Sequence, residues 1–264
     1  MLKGAMHLHS TYSDGEFTLR QLREIFLSEG CQFACVTDHA EYFDETSVRR
    51  YHEECASLSD DKFFLLAGLE YRCERDLHIL GYGATKLTSS ANPQEVIRHI
   101  ATQHAISVIA HPRDDMFAWI ESFEALPLGI EAWNTKYDGR YAPRPATFAL
   151  LERLRQRQPS TLGFFGQDLH WKKQFHGMFV EVDCTALATE NILSALASGS
   201  YYAVKGTLRL PSSGRVPEEL LAEFGRVHSR SRRMWRVLKN GKDMLGRAGI
   251  QVPASVKAQL RRIF

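Results

Sequence analysis

No apolar run in the 264-residue chain is long enough to cross a bilayer; the longest, such as 63–69, fall far short of the roughly 20 residues a spanning helix needs. No secretion signal fits ahead of His7, because the expected first strand begins almost at Met1. The five cysteines form no close CxxC pair, and their odd number argues for reduced thiols and a cytoplasmic setting rather than a disulfide framework. Cys31 and Cys35 stand among Phe33, Ala34 and Val36, which assigns them to core packing. Internal repeats and low-complexity tracts are also absent, which excludes solenoid and fibrous architectures. A large net charge is missing too, since the total is only +2.

That small total hides an uneven distribution. From residue 226 to the last residue, eleven Lys or Arg stand against the single acid Asp243, a net +10, which leaves −8 for residues 1–225 of a chain totalling +2. In the basic segment Leu220, Phe224, Val227, Met234, Leu238 and Leu245 recur near helical spacing. Such a helix packs on the body through its apolar stripe. If the stripe is exposed, an anionic membrane surface, nucleic acid or a protein partner becomes its target.

An apolar content of 44% and a charged content of 24% describe an ordinary globular chain. Apolar segments at 5–9, 33–37, 63–67, 79–82, 106–110, 128–132, 162–165 and 178–182 read as strands. Amphipathic segments at 17–30, 47–58, 92–104, 145–155 and 189–198 read as helices, the first capped by Thr18 and closed by Gly30. This alternation predicts a parallel α/β architecture. Ser212-Ser213-Gly214, flanked by Pro211 and Pro217, is the best candidate for a linker.

The chemistry sits at strand ends. His7 and His9, one residue apart on a strand, point to the same side, and Asp14 follows in a Ser-Asp-Gly turn able to fold back towards them. Further on come Asp38-His39, Glu70, His78, His111 and Asp168-Leu169-His170. Imidazole with carboxylate suits Zn, Mn or Fe, and the lack of a cysteine partner disfavours a structural zinc site. Leaving Asp38 aside, nine such residues are too many for one ion of ordinary coordination, so a multinuclear site follows if the fold gathers them.

The ordered series His7-Leu8-His9-Ser10, Ser13-Asp14-Gly15, Thr37-Asp38-His39, Glu70, His78, His111 and Asp168-Leu169-His170 resembles the PHP family, the polymerase and histidinol phosphatase domain of metal-dependent phosphoesterases. The likeness covers roughly residues 5–185 and is greatest to the branch acting on small phosphate esters. It implies a distorted (β/α)7 barrel, assigned to residues 1–210, and the charge pattern and linker add a basic helical extension over 211–264. It also implies two to three divalent transition-metal ions. His7, His9, Glu70 and Asp168 would hold the first, with Glu70 bridging to a second on His78 and His111. Asp14, His39 and His170 would hold a third. Hydrolysis would proceed by metal-activated hydroxide at a trinuclear site, with His7, His9, Glu70, Asp168 and His170 as the catalytic set. The substrate would be a small phosphomonoester or a nucleotide-like phosphoester. The alternatives are an exonuclease acting on nucleic acid ends and a non-catalytic metal-binding scaffold.

Around this set, Arg113, Arg140 and Arg144 are candidate phosphate clamps, since a guanidinium can grip phosphate bidentately. Asp38 reads as a group orienting a histidine, and Glu131 as a support for a ligand. His52, His99, His104, His176 and His228 read as surface residues, and Trp119, Trp133 and Trp171 as barrel core.

Overall fold

A computed structural model describes residues 1–247. Ten strands form one mixed sheet in the order β10-β9-β8-β1-β2-β3-β4-β5-β6-β7. The elements run β1 Leu2–Leu8, α1 Leu19–Ser28, β2 Phe33–His39, α2 Glu45–Ser57, β3 Phe64–Arg72, β4 His78–Tyr82, α3 Pro93–Ala101, β5 Ile106–Ile109 and α4 Phe117–Glu121. They continue with β6 Gly129–Asn134, α5 Pro145–Arg157, β7 Leu162–Gly166, β8 Phe179–Val182, α6 Thr189–Ala197, β9 Tyr201–Lys205, β10 Leu208–Pro211 and α7 Glu218–Arg247. Among the described residues no helix is long and apolar enough to cross a membrane.

Local chemistry accounts for the helix boundaries. Thr18 accepts from the Gln21 amide while the Gln21 side chain accepts from the Thr18 amide, a reciprocal cap at the start of α1. Asp44 does the same for α2 with Ser47, and Asn92 with Pro93 opens α3. Gly30 turns the chain out of α1 with φ of 74°, a conformation that costs glycine little.

Strands β1 to β7 curl into a nearly closed barrel. The chain leaving β7 returns to the upper half of β1: Leu8 and Leu169 form a parallel bridge, His9 donates to the Leu169 carbonyl at 3.0 Å, and Gln167 donates to the Met6 carbonyl at 3.1 Å. The lower half of β1 pairs instead with antiparallel β8, through Leu2 with Val182 and Gly4 with Val180. The barrel is therefore sealed at the end where His7 and His9 lie and shared with the β8–β10 meander at the other.

Three expectations change. The sheet is not purely parallel, because β4 runs antiparallel to both β3 and β5. Residues 73–77 between β3 and β4 are too few to carry the chain back across the sheet, so the strand must reverse. His78 consequently opens its strand instead of ending one. Two further strands, β9 and β10, extend the sheet, and their short, half-buried pattern carries little sequence signal. The supposed linker is built into the barrel: Ser212 is 5% exposed, its carbonyl accepts from the Gly163 amide at 2.7 Å, and its hydroxyl donates to the Gly199 carbonyl.

Aromatic side chains fill the interior. Phe26, Phe33, Tyr51, Phe63, Tyr82, Phe164 and Tyr201 are fully buried, each worth about 1.5–3 kcal/mol of apolar burial. The hydroxyls of Tyr51 and Tyr201 donate to the Val36 and Gly163 carbonyls, each at 2.9 Å. Near its start α7 packs on α5, where Phe224 meets Phe148 at 6.3 Å between ring centres. Farther along, Met234 and Val237 are exposed at 44% and 64%. The side chains of Leu238 and Leu245, the rest of the expected stripe, lie outside the described residues.

Candidate metal centre

Seven structural elements deliver side chains to one end of the barrel. β1 supplies His7, and the loop that follows it supplies His9 and Asp14. His7 adopts a left-handed backbone, φ 59°, at a register shift in β1. Strict alternation is thus broken, yet both rings remain inward, 5.2 Å apart. β2 ends at His39, β3 carries Glu70, and β4 begins at His78. His111 follows β5 with φ 28°, and Asp168 follows β7 with φ 50°. Left-handed backbone at three such residues is costly and persists where the surroundings hold it.

Glu70 is the hub. Its Oε1 lies 2.7 Å from His78 Nδ1 and 3.4 Å from His111 Nε2. Its Oε2 lies 3.1 Å from His9 Nε2, 3.2 Å from His7 Nε2 and 3.5 Å from His39 Nδ1. Asp168 approaches His170 Nδ1 at 3.1 Å, His9 Nε2 at 3.6 Å and His111 Nε2 at 3.6 Å. Asp14 stands 3.2 Å from His170 Nε2 and 3.8 Å from His39 Nε2. The donor atoms fall into overlapping groups, within each of which the atoms lie within 4.8 Å of one another. These are His7, His9 and Asp168; His7, Glu70 and His111; His39, Glu70 and His78; and His9, Asp14, His39 and His170. All nine expected ligand residues are therefore gathered. His7, His9, His39 and Glu70 each take part in two groups.

His9 is the test of whether a cation fits. It is fully buried, yet neither Nδ1 nor Nε2 makes a hydrogen bond of acceptable geometry. Burial drives its pKa down to about 3, against the opposing pull of Glu70, so the ring is neutral. A buried neutral imidazole with unspent nitrogens beside carboxylates has the chemistry of a divalent-metal ligand. No cysteine joins these groups, and all five thiols are buried and free.

The rest of the set is strongly polarised. Burial would lower His7, but Glu131, Glu70 and Asp168 outweigh it and hold the ring well above its ordinary value. Burial would likewise raise Glu70 and Asp168. For both, His7 leads the groups that reverse this and hold the carboxyl well below its usual range.

Supporting groups fix the geometry. Glu131 is fully buried; its Oε1 accepts from His7 Nδ1 at 2.9 Å, and its Oε2 accepts from the His111 amide and Asn134 Nδ2. Glu131 approaches Gly166 so closely that a methyl group there would overlap its carboxylate. Asp38 does not orient a histidine. It accepts from the Ser10 amide, the Ser10 hydroxyl and the Ser13 hydroxyl, and so shapes the turn that presents Asp14.

The three expected clamps differ in what they touch. Arg113 lines a cleft with Asp76, His78, His111, Met116 and Tyr137. Arg140 stacks over Tyr141 at 4.6 Å. Arg144 is engaged with Asp138, Asp114 and the Pro112 carbonyl, each at 2.5 Å, and serves the loop instead. Lys136 is the closer cation: its ammonium donates to Asp168 Oδ1 at 2.9 Å.

Other assignments shift as well. Trp133 is core, with its indole donating to the Gly139 carbonyl, and Trp119 is half-buried. Trp171 is 40% exposed beside His170, which it follows directly. His52 is half-buried, and burial takes its pKa down to about 4.

No family model matches the chain. Over 133 residues the sequence is 44% identical to the DNA polymerase/3'-5' exonuclease PolX of Bacillus subtilis (strain 168), a match covering 42% of this chain. The chain spans 23% of the length of that relative. Among solved structures, the fold is similar to a two-domain protein from Bacteroides vulgatus ATCC 8482 containing a predicted PHP-like metal-dependent phosphoesterase. The TM-score is 0.51 at 19% identity, over 85% of this chain and 69% of that one. It is also similar to PsfC from Pseudomonas syringae PB-5123, with a TM-score of 0.51 at 12% identity over 87% of this chain and 98% of the other. The shared fold agrees with the PHP resemblance carried by the motifs.

Proposed function

We propose that the chain is a metal-dependent phosphoester hydrolase of the PHP type, acting on a small phosphomonoester or nucleotide-like phosphoester. The observation that carries this reading is Glu70, whose two oxygens face two different sets of histidines. That disposition suits a carboxylate bridging two ions, with Asp14, His39, His9 and His170 available for a third. Held there, two to three divalent ions of the Mn, Fe or Zn kind would supply the Lewis acidity that activates water and offsets phosphate charge.

The chain's own residues do the rest. Glu131, by accepting from His7 Nδ1, points Nε2 at Glu70 and Asp168, so ligation there requires only that Nε2 lose its proton. Asn134 and the His111 amide hold Glu131 in turn. Lys136 keeps a positive charge at Asp168: burial opposes it, but Asp168 raises its pKa. From that position, and with Arg113 beside His111, the site offers cations to non-bridging phosphate oxygens.

A second reading, an exonuclease acting on nucleic acid ends, is favoured by the likeness to a polymerase/3'-5' exonuclease. The test is to purify the protein without chelator, count its metals by elemental analysis, and screen phosphate esters and single-stranded oligonucleotides. At least two transition-metal ions per chain and chelator-sensitive hydrolysis are expected. A folded protein with neither would refute the proposal.

A further inference from the structure

Three aromatic side chains stand in solvent at the mouth of the metal centre. Tyr42 is 56% exposed, Tyr137 57% and Trp171 40%. They arrive on three separate loops, after β2, β6 and β7, and each lies against a different histidine of the centre. Tyr42 stacks on His39 at 6.2 Å between ring centres and an interplanar angle of 29°. Tyr137 meets His111 at 4.3 Å and 34°, and Trp171 meets His170 at 5.4 Å and 37°. The rings thus border the cluster at three of its histidines.

Many large aromatics in this chain are core, as Trp133, Tyr51, Tyr82 and Tyr201 show, and the exposed rings of Tyr141 and Tyr202 each lie under an arginine, Arg140 and Arg209. Leaving three at one rim forfeits apolar burial that a ligand could restore. Cations accompany them: Lys136 Nζ lies 5.1 Å from the Tyr137 ring centre and Lys173 Nζ 5.1 Å from that of Trp171. A ligand meeting both features combines a flat apolar ring with negative charge.

We propose that Tyr42, Tyr137 and Trp171 form a stacking collar that selects phosphoesters whose alcohol carries a planar base, so that nucleotides are preferred over bare sugar phosphates. This rests on the phosphoesterase reading of the same centre and narrows its substrate class. The phosphate enters the ligand cluster, and the base lies on the collar outside it. Stacking of a base on an aromatic side chain is worth roughly 5- to 150-fold in binding. It is indifferent to base identity, because every base has a π-face.

The alternative role for these rings is to brace the histidines they touch. Two ligands separate the roles: a nucleoside 5'-monophosphate and ribose 5-phosphate, which share the ester and the sugar and differ in the base. With metal-loaded protein the nucleotide should have a kcat/KM roughly tenfold or more above that of ribose 5-phosphate. Trp171→Leu and Tyr137→Leu should shrink that ratio about fivefold, mainly through the KM of the nucleotide, while Trp171→Phe should restore most of it. Equal kcat/KM for the two esters, or variants that lower both alike together with metal content, would overturn the collar in favour of bracing.

Equilibrium dialysis of the same two ligands keeps the collar testable apart from turnover. Tighter binding of the nucleotide, weakened in Trp171→Leu, supports it even if neither ester is hydrolysed, an outcome that would count against the phosphoesterase reading alone. Equal binding of the two ligands, or none, rejects the collar.

Discussion

His7 and Glu131 meet at 2.9 Å across the barrel, joining β1 to β6 through two side chains with no solvent exposure. Because both oxygens of Glu131 already accept from fixed donors, the residue sets the ring plane of His7 and the backbone of His111 together.

Glu131→Gln places an NH2 group where a donor already points, so one hydrogen bond is lost at a buried site. Metal content or kcat/KM should fall about 10- to 100-fold, with a loss of about 1–3 kcal/mol in stability. Elemental analysis and urea denaturation of the variant measure both. Wild-type metal content with wild-type turnover would show that Glu131 does not position the centre.

The arginines should separate by role. Arg144→Ala leaves the buried carboxylate of Asp138 without its cation and should cost about 3–5 kcal/mol of stability. At a permissive temperature its KM should be unchanged. Arg113→Ala should keep its Tm and raise KM several-fold, since the side chain is half exposed beside His111. A raised KM in Arg144→Ala with an unchanged Tm would return that residue to the substrate site.

Acid stability should report His52. Its imidazole is driven from 6.5 to about 4 chiefly by burial, partly offset by a hydrogen bond with the Ala84 backbone. Between those values the unfolded chain binds more protons than the folded one, so stability present above pH 6.5 is lost as pH falls towards 4. Denaturant titrations of His52→Gln should show a shallower pH slope across that window than the wild type does. An identical slope would exclude His52 as the cause.

The C-terminal extension, proposed at 211–264, should divide in two. Removing residues 217–264 deletes Phe224, which is 4% exposed, and should cost at least about 3 kcal/mol. Removing residues 230–264 spares that contact and should leave the Tm nearly unchanged. Salt-sensitive binding to anionic vesicles or nucleic acid should disappear with it, since exposed charges are screened over about 8 Å at physiological salt. Equal melting of both truncations with the wild type would remove any packing role for α7.

The sequence by itself marked the nine residues that the fold gathers. His7, His9, Asp14, His39, Glu70, His78, His111, Asp168 and His170 were legible as candidates because they stand in or just beyond short apolar segments that read as strands. The capped helices were legible for the same local reason, with Thr18 and Asn92 as the signals. Only the tertiary structure decided what depends on contacts remote in sequence. The reversal of β4, the stitching of Ser212 to β7 and the loss of Arg144 to Asp138 are settled by chain closure and by which partner comes within reach. The same holds for Trp171. Its indole has core chemistry, and only the closing of β7 onto β1, which sets His170 at the mouth, leaves the next residue at the rim in water.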